Sequence, residues 1–196
     1  MDIRLEKKAL RKRILAERDS LTREDWVEKS KAIFNHFITL EELKPAKNIF
    51  IFINFRSEVN TKPIIEHLLA EGKNIIVPYT DIQNKKLRLY YLKNFNELKE
   101  GSYGILEPDP AIAKEANIKD VDLVVVPGSA FDLKGGRMGY GGGFYDRLLP
   151  SIREGVKAVA IAFELQLVDD VPMGYYDRRV DIIVTEKRII HTGQTR

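Results

Sequence analysis

DLVVVPGSAFDLKGGRMGYGGGFYDRLL, residues 122–149, is the stretch from which the fold is read. Its first residues, Asp122–Pro127, form an apolar β-branched run that predicts a strand buried on both faces. The chain then leaves the carboxyl end of that strand through Gly128, Ser129, Ala130, Phe131 and Asp132. Gly135–Asp146 follows, and six of its twelve residues are glycine. A helix over about 143–149 is expected next. Strand, glycine-rich loop and helix in this order predict an α/β protein, in which ligands bind beyond the carboxyl ends of the strands.

The same alternation extends in both directions. Short apolar runs at Asn48–Asn54, Ile75–Pro78, Leu87–Leu92, Ala158–Phe163 and Asp181–Thr185 predict further strands. Residues 3–18 read as a helix, with Leu10 and Ile14 four apart. Thr22 is placed to cap a second helix carrying Trp26, Ile33, Phe34 and Phe37. Pro63 suits the start of a helix over Ile64–Glu71, and Gly72 its end. The stretch around Pro172 is expected to be irregular. The expected architecture is a Rossmann-like, mainly parallel sheet flanked by helices, in a single domain over residues 1–196.

Several side chains in this frame suit phosphate chemistry. A glycine-rich loop entering a helix turns backbone N–H groups toward one point, a geometry that fits phosphate oxygens. Arg137 adds a forked donor, and Asp146 is suited to a magnesium ion bridging phosphates. A flexible surface loop accounts for the glycines equally well. The segment is neither a Walker A loop, since no Gly-Lys-Ser/Thr follows, nor Gly-x-Gly-x-x-Gly, since Phe144 occupies the third glycine's place. Lys7 and Arg11, four apart, share a helix face. Either water or an anion between them satisfies that spacing. Glu58, just beyond the first strand, suits the amino groups of a polar ring or a solvated loop. Glu107 is similar, and Asp177 and Asp181 flank the last strand.

Composition narrows the function further. The chain has 196 residues, no cysteine, a net charge of +3 and only three histidines, His36, His67 and His191, at no metal-ligand spacing. Thiolate chemistry and disulfides are excluded. Six of the first thirteen residues are Lys or Arg. That basic stretch fits a phosphate, a nucleic acid or a solvated helix face. No apolar segment of signal-peptide or membrane-spanning character is visible. A cytoplasmic protein is expected, with neither nucleic acid nor membrane as partner.

Together these pieces resemble the 5-formyltetrahydrofolate cyclo-ligase family, also called methenyltetrahydrofolate synthetases. The resemblance runs from Lys7-x-x-Leu10-Arg11 through Glu58 and Gly104–Pro108. It peaks at Asp122–Leu149 and closes with Ala160–Gln166 and the Asp177/Asp181 pair. It implies ATP-dependent cyclisation of 5-formyltetrahydrofolate to 5,10-methenyltetrahydrofolate with release of ADP and phosphate, magnesium as cofactor, and a fold similar to sugar-phosphate isomerases and CoA transferases.

By matching position, the resemblance assigns ATP to Lys7, Lys8, Arg11, Arg137, Met138, Gly139, Tyr140, Gly141, Gly142, Gly143, Phe144 and Tyr145. It assigns the folate to Ile53, Glu58, Tyr140, Gly141, Gly142, Gly143 and Phe144, with Arg137 and Glu58 as the catalytic pair. Magnesium falls to Asp146 and Asp181. Tyr140 stands where some members have arginine, and Phe144 where tyrosine is common. The partners implied are ATP and the folate, and a monomer is expected. Two other readings are a sugar-phosphate isomerase, which needs no ATP, and a nucleic-acid-binding module built on the basic N-terminus.

Overall fold

The structure is a computed structural model that describes residues 2–193. The strands of its main sheet are β1 (Asn48–Ile51), β2 (Asn74–Asp81), β3 (Lys86–Leu92), β4 (Glu115–Ala116), β5 (Leu123–Val126), β6 (Lys157–Ile161), β7 (Ile182–Val184) and β8 (Ile189–His191). They form one sheet in the order β8-β7-β6-β5-β1-β2-β3-β4. The central pairs β1–β2, β1–β5, β5–β6 and β6–β7 are parallel. The outer pairs β2–β3, β3–β4 and β7–β8 are antiparallel. The mainly parallel α/β expectation therefore holds, with antiparallel additions at both edges.

Alternation along the strands divides the core into two layers. Ile49, Ile51, Ile75, Val77, Val125 and Val159 face one layer with Ile33 and Phe37 of α2 (Arg23–Phe37) and Ile64, Ile65 and Leu68 of α3 (Lys62–Ala70). Phe50, Ile76, Val124, Ala160 and Ile183 face the other with Phe131, Leu148 and Leu149. The helix ends follow the sequence signals. Thr22 accepts the Asp25 N–H at 3.1 Å. Gly72, at φ 80, lets Gly72 N bond Leu69 O and Lys73 N bond Leu68 O, each at 3.0 Å, which closes α3 with a Schellman motif.

Three details sharpen the sequence reading. β1 stops at Ile51 rather than Asn54, because Asn54 turns away to exchange hydrogen bonds with Thr61. β3 returns antiparallel to β2 through a tight turn in which Asp81 Oδ1 accepts Asn84 N–H at 3.0 Å. The helix after the glycines, α4 (Phe144–Leu148), has five residues and gives way to a 3-10 turn over Leu149–Ser151 that contains Pro150. A single turn of helix has a small dipole, so the N-terminal anion argument is weaker here than the sequence suggested.

Two features position the site. The chain moves from β1 to β2 in one direction across the sheet and from β5 through β6 to β7 in the other. The carboxyl ends of the neighbouring strands β1 and β5 therefore bound the switch-point crevice. Helix α1 (Ile3–Asp19) packs over the loops at that end, with Ile14 buried against Ala130, Met138 and Val171.

Candidate active site

A cavity of about 450 Å³ opens at this crevice, a size usual for small-molecule sites. Phe52 and Ile53 enter it just after β1, and Pro127 just after β5. Arg137, Gly139, Tyr140, Gly142, Gly143, Phe144, Tyr145 and Asp146 form another wall, and Glu58 and Arg18 sit in it as buried charges, 8% and 4% exposed. The structure thus brings Ile53, Glu58 and most of the glycine-rich segment to one place.

Glu58 is held from two sides. Its backbone oxygen accepts Trp26 Nε1–H at 2.8 Å, and its Oε2 accepts Phe55 N–H at 2.7 Å. Between them Arg56 adopts φ 52, a left-handed conformation uncommon for a side chain of its size. Burial raises the Glu58 carboxyl above the usual carboxylate range, opposed by hydrogen bonds from Tyr140 and Phe55 and by the charge of Arg18. Tyr140 is 43% exposed as a residue, yet its hydroxyl is enclosed, accepting from Arg18 Nη1 at 2.7 Å and reaching Gly128 O at 3.3 Å. The ring surface and the hydroxyl lie in different environments. Burial pushes that phenol, and the phenol of Tyr145, far up.

Arg137 is 2% exposed, and its fork is already engaged. Nη1 donates to Pro127 O at 3.2 Å and Nη2 to Asp146 Oδ1 at 2.7 Å, while buried Nε has no partner. Asp146 Oδ1 also accepts Arg178 N–H at 3.0 Å. The two residues expected to meet phosphate and magnesium are therefore paired with each other.

The N-terminal helix reaches the glycine-rich loop through Arg11. Arg11 Nε donates to Gly139 O at 3.0 Å, and Lys7 is ion-paired with Asp177. Lys8, one residue round the helix from Lys7, is exposed. Helical rotation of about 100° per residue turns Lys8 off the face that Lys7 and Arg11 share.

The two acids that the resemblance assigns to magnesium lie in different settings, Asp146 on the cavity wall and Asp181 at the start of β6. Asp181 Oδ2 accepts the Ala158 N–H at 2.7 Å at the start of β6, where Ala158 lies opposite Val124, three residues before Pro127. Among the described residues, no group of three or more His, Cys, Asp or Glu side chains is arranged to hold a metal ion.

Two important residues, Arg18 and Asp132, carry no signal that the sequence reading used. Arg18 was missed, although it continues the Lys7–Arg11 face at the spacing that would reveal it. Asp132, 1% exposed, ties the loop together by accepting N–H groups of Lys134, Gly136 and Val171 at 2.8–2.9 Å. Tyr145, which the resemblance assigns to ATP, backs the site with its ring centre 5.9 Å from the Arg137 guanidinium. Glu107 was read as a loop acid like Glu58, and it is instead a brace. It is 4% exposed and accepts Thr80 N–H at 3.0 Å and Ser102 N–H at 3.2 Å. That brace positions Tyr103 and Ile105 on the cavity wall.

A profile of the 5-formyltetrahydrofolate cyclo-ligase family matches residues 4–186. A Haemophilus influenzae 5-formyltetrahydrofolate cyclo-ligase is 32% identical over 150 residues, covering 75% of this chain and 80% of the relative. The Escherichia coli K12 protein of the same description is 29% identical over 175 residues, covering 88% and 96%. The NMR structure of Aquifex aeolicus 5,10-methenyltetrahydrofolate synthetase superposes with a TM-score of 0.84 at 32% identity, covering 97% of this chain and 94% of that one. A Mycoplasma pneumoniae synthetase superposes at 0.75 with 21% identity, covering 95% and 99%, which bears on the fold alone. Among the described residues, no helix is long and apolar enough to cross a membrane.

Proposed function

This chain belongs to the 5-formyltetrahydrofolate cyclo-ligase family, and from that premise we propose how its cavity carries out ATP-dependent cyclisation of 5-formyltetrahydrofolate to 5,10-methenyltetrahydrofolate. The observation that carries the reading is the meeting, in one cavity at the switch point, of Glu58 with the Arg137–Asp146 pair. One suits a polar ring and the other suits phosphate.

In the proposed reaction the formyl oxygen attacks the γ-phosphorus of ATP, and ADP departs. N10 then attacks the formyl carbon and loses its proton, and phosphate leaves with the former formyl oxygen. Such chemistry requires in-line positioning and stabilisation of moving negative charge. Arg11, held against Gly139 O, places a cation beside the glycine loop, and Lys7 stands on the same helix face, paired with Asp177. Arg137 keeps Asp146 oriented and contributes a fixed buried charge. Glu58, fixed by Trp26 and Phe55, orients the pterin so that the formyl group faces the loop.

Magnesium fits Asp146. Both of its hydrogen bonds fall on Oδ1, and Oδ2 accepts none from a described residue. Magnesium commonly takes one or two carboxylates and completes its shell with phosphate oxygens and water. Asp181 fits less well, because its Oδ2 already accepts from Ala158 and the residue is 7% exposed. When bound, the ion would neutralise charge on the transferring phosphate.

The test is to mix purified protein with ATP, magnesium and 5-formyltetrahydrofolate and follow the methenyl chromophore. ATP-dependent absorbance is expected. Its absence across pH and magnesium concentrations would reject the reading.

A further inference from the structure

Arg18 extends the basic face of α1. Lys7, Arg11, Ile14 and Arg18 recur at helical spacing, so one face carries them all. Unlike Lys7 and Arg11, Arg18 is buried, and it lines the cavity. Its Nε donates to Ser57 Oγ at 3.0 Å and its Nη1 to the Tyr140 hydroxyl at 2.7 Å. Its guanidinium carbon lies 5.7 Å from the centre of the Tyr140 ring. Neither hydrogen bond involves Nη2. A guanidinium keeps its charge when buried, and a buried charge needs an opposite partner. Tyr140 and Arg18 both act to lower the Glu58 pKa against burial, so the phenol and the cation stand together beside the acid.

The cavity therefore presents acceptors from Glu58 next to donors from Arg18. The polar edge of a reduced pterin presents an amino group, a ring N–H and a carbonyl oxygen in a row. Its complement is two acceptors followed by one donor. A single carboxylate supplies the acceptors, and the donor must then come from its neighbour.

We propose that Arg18 is a substrate-binding residue: its guanidinium donates to the pterin carbonyl while Glu58 accepts from the adjoining ring N–H and amino group. The assignment rests on the proposed cyclisation for the identity of the ring. It also gives Arg18 a second role. The groups facing Glu58 are Arg18 from α1, Tyr140 from the loop and Tyr145 from α4, with Arg137 behind Tyr145. Asp19 is occupied by the Ser57 hydroxyl. Arg18 is the cation among them that counteracts the effect of burial on Glu58. Without it the carboxylate takes up a proton at higher pH, and the acceptor pair is lost there.

The experiment measures 5-formyltetrahydrofolate binding by equilibrium dialysis without ATP, and the folate and ATP KM values in the coupled reaction, across pH. For Arg18→Met, folate affinity should fall by about tenfold or more, as expected when a charged hydrogen bond is lost. The ATP KM should stay within about twofold, following the absence of any Arg18 role in phosphate binding. The acid limb of folate binding should move to higher pH, and Arg18→Lys should restore part of the affinity. Unchanged folate affinity, or equal weakening of folate and ATP, would overturn the assignment. If Arg18→Met does not fold, Arg18→Lys decides alone: selectively weaker folate binding supports the role and wild-type folate binding rejects it. Wild-type protein that binds the folate yet makes no methenyl product would sink the proposed reaction and leave the dialysis result on Arg18 intact.

Discussion

Arg137 Nη2 and Asp146 Oδ1 lie 2.7 Å apart, with the arginine side chain 2% and the aspartate 17% exposed. This pair joins the start of the glycine-rich loop to its exit. Removing one partner from a buried ion pair leaves the other charge without compensation. Arg137→Ala should therefore cost about 3–5 kcal/mol of stability, by that principle, as well as ATP-dependent turnover. Denaturant unfolding and the methenyl assay read the two effects separately. A fully stable Arg137→Ala protein would show that the pair does not anchor the loop.

Asp146 and Asp181 should separate in their magnesium dependence. Asp146→Asn should raise the magnesium concentration needed for half-maximal rate by roughly tenfold or more, since it removes a charged ligand. Asp181→Asn retains an oxygen that can accept the Ala158 N–H and should leave that requirement within about twofold, on the view that its bond is structural. Titrating the rate with magnesium for both variants checks this. A large shift in Asp181→Asn would make Asp181 a ligand as well.

Glu58→Gln should weaken folate binding and yet stabilise the protein at neutral and alkaline pH. Burial raises the Glu58 pKa above its ordinary value of 4.5. The folded state then binds the Glu58 proton more readily than the unfolded state, and stability from this group falls as pH rises. The cost is complete above the raised folded value and vanishes below 4.5. Thermal melts from pH 4 to pH 8 (roughly the span bracketing an elevated carboxyl) should show the variant's advantage appearing as pH rises. An advantage that is constant across this span would mean that burial of the ionised carboxylate is not its source.

Arg11 and Lys8 provide a matched comparison. Arg11→Ala removes the contact to Gly139 O and should raise the ATP KM by about tenfold, the scale of a charged hydrogen bond. Lys8→Ala should change it by less than about twofold, as for an exposed charge. Steady-state kinetics with varied ATP distinguishes them, and equal effects would contradict the orientation of α1.

Two glycines should differ in kind. A Cβ at position 136 would stand 2.2 Å from Asp132 Oδ2, inside the buried knot that Asp132 makes with three N–H groups. Gly136→Ala should cost about 2–4 kcal/mol, because a buried carboxylate loses partners. Gly143 has φ 69, and its nearest obstacle is the movable end of Arg147 at 2.9 Å. Gly143→Ala should cost about 1–2 kcal/mol, the ordinary strain of a left-handed residue. Chemical denaturation of both variants tests the order.

The sequence by itself determined six of the main sheet's eight strands, their alternation with helices and the family of the chain, while the edge strands β4 and β8 carried no such signal. Runs such as Leu123–Val126 are apolar and β-branched wherever they stand, and Thr22, Pro63 and Gly72 punctuate helices through local geometry. It also determined that Glu58, Ile53 and the glycine segment lie near strand ends, because a parallel sheet places its crossings there. Only the tertiary structure decided which charges meet. Arg137 and Asp146 are nine residues apart and their pairing depends on how the loop folds back. Arg18 and Tyr140 are 122 residues apart, and Asp181 and Ala158 are 23 apart. Residue type says which groups can bind phosphate, metal or a polar ring. It cannot say which of them are already engaged by the protein, because that follows from burial, where a charge left without a partner is too costly to persist.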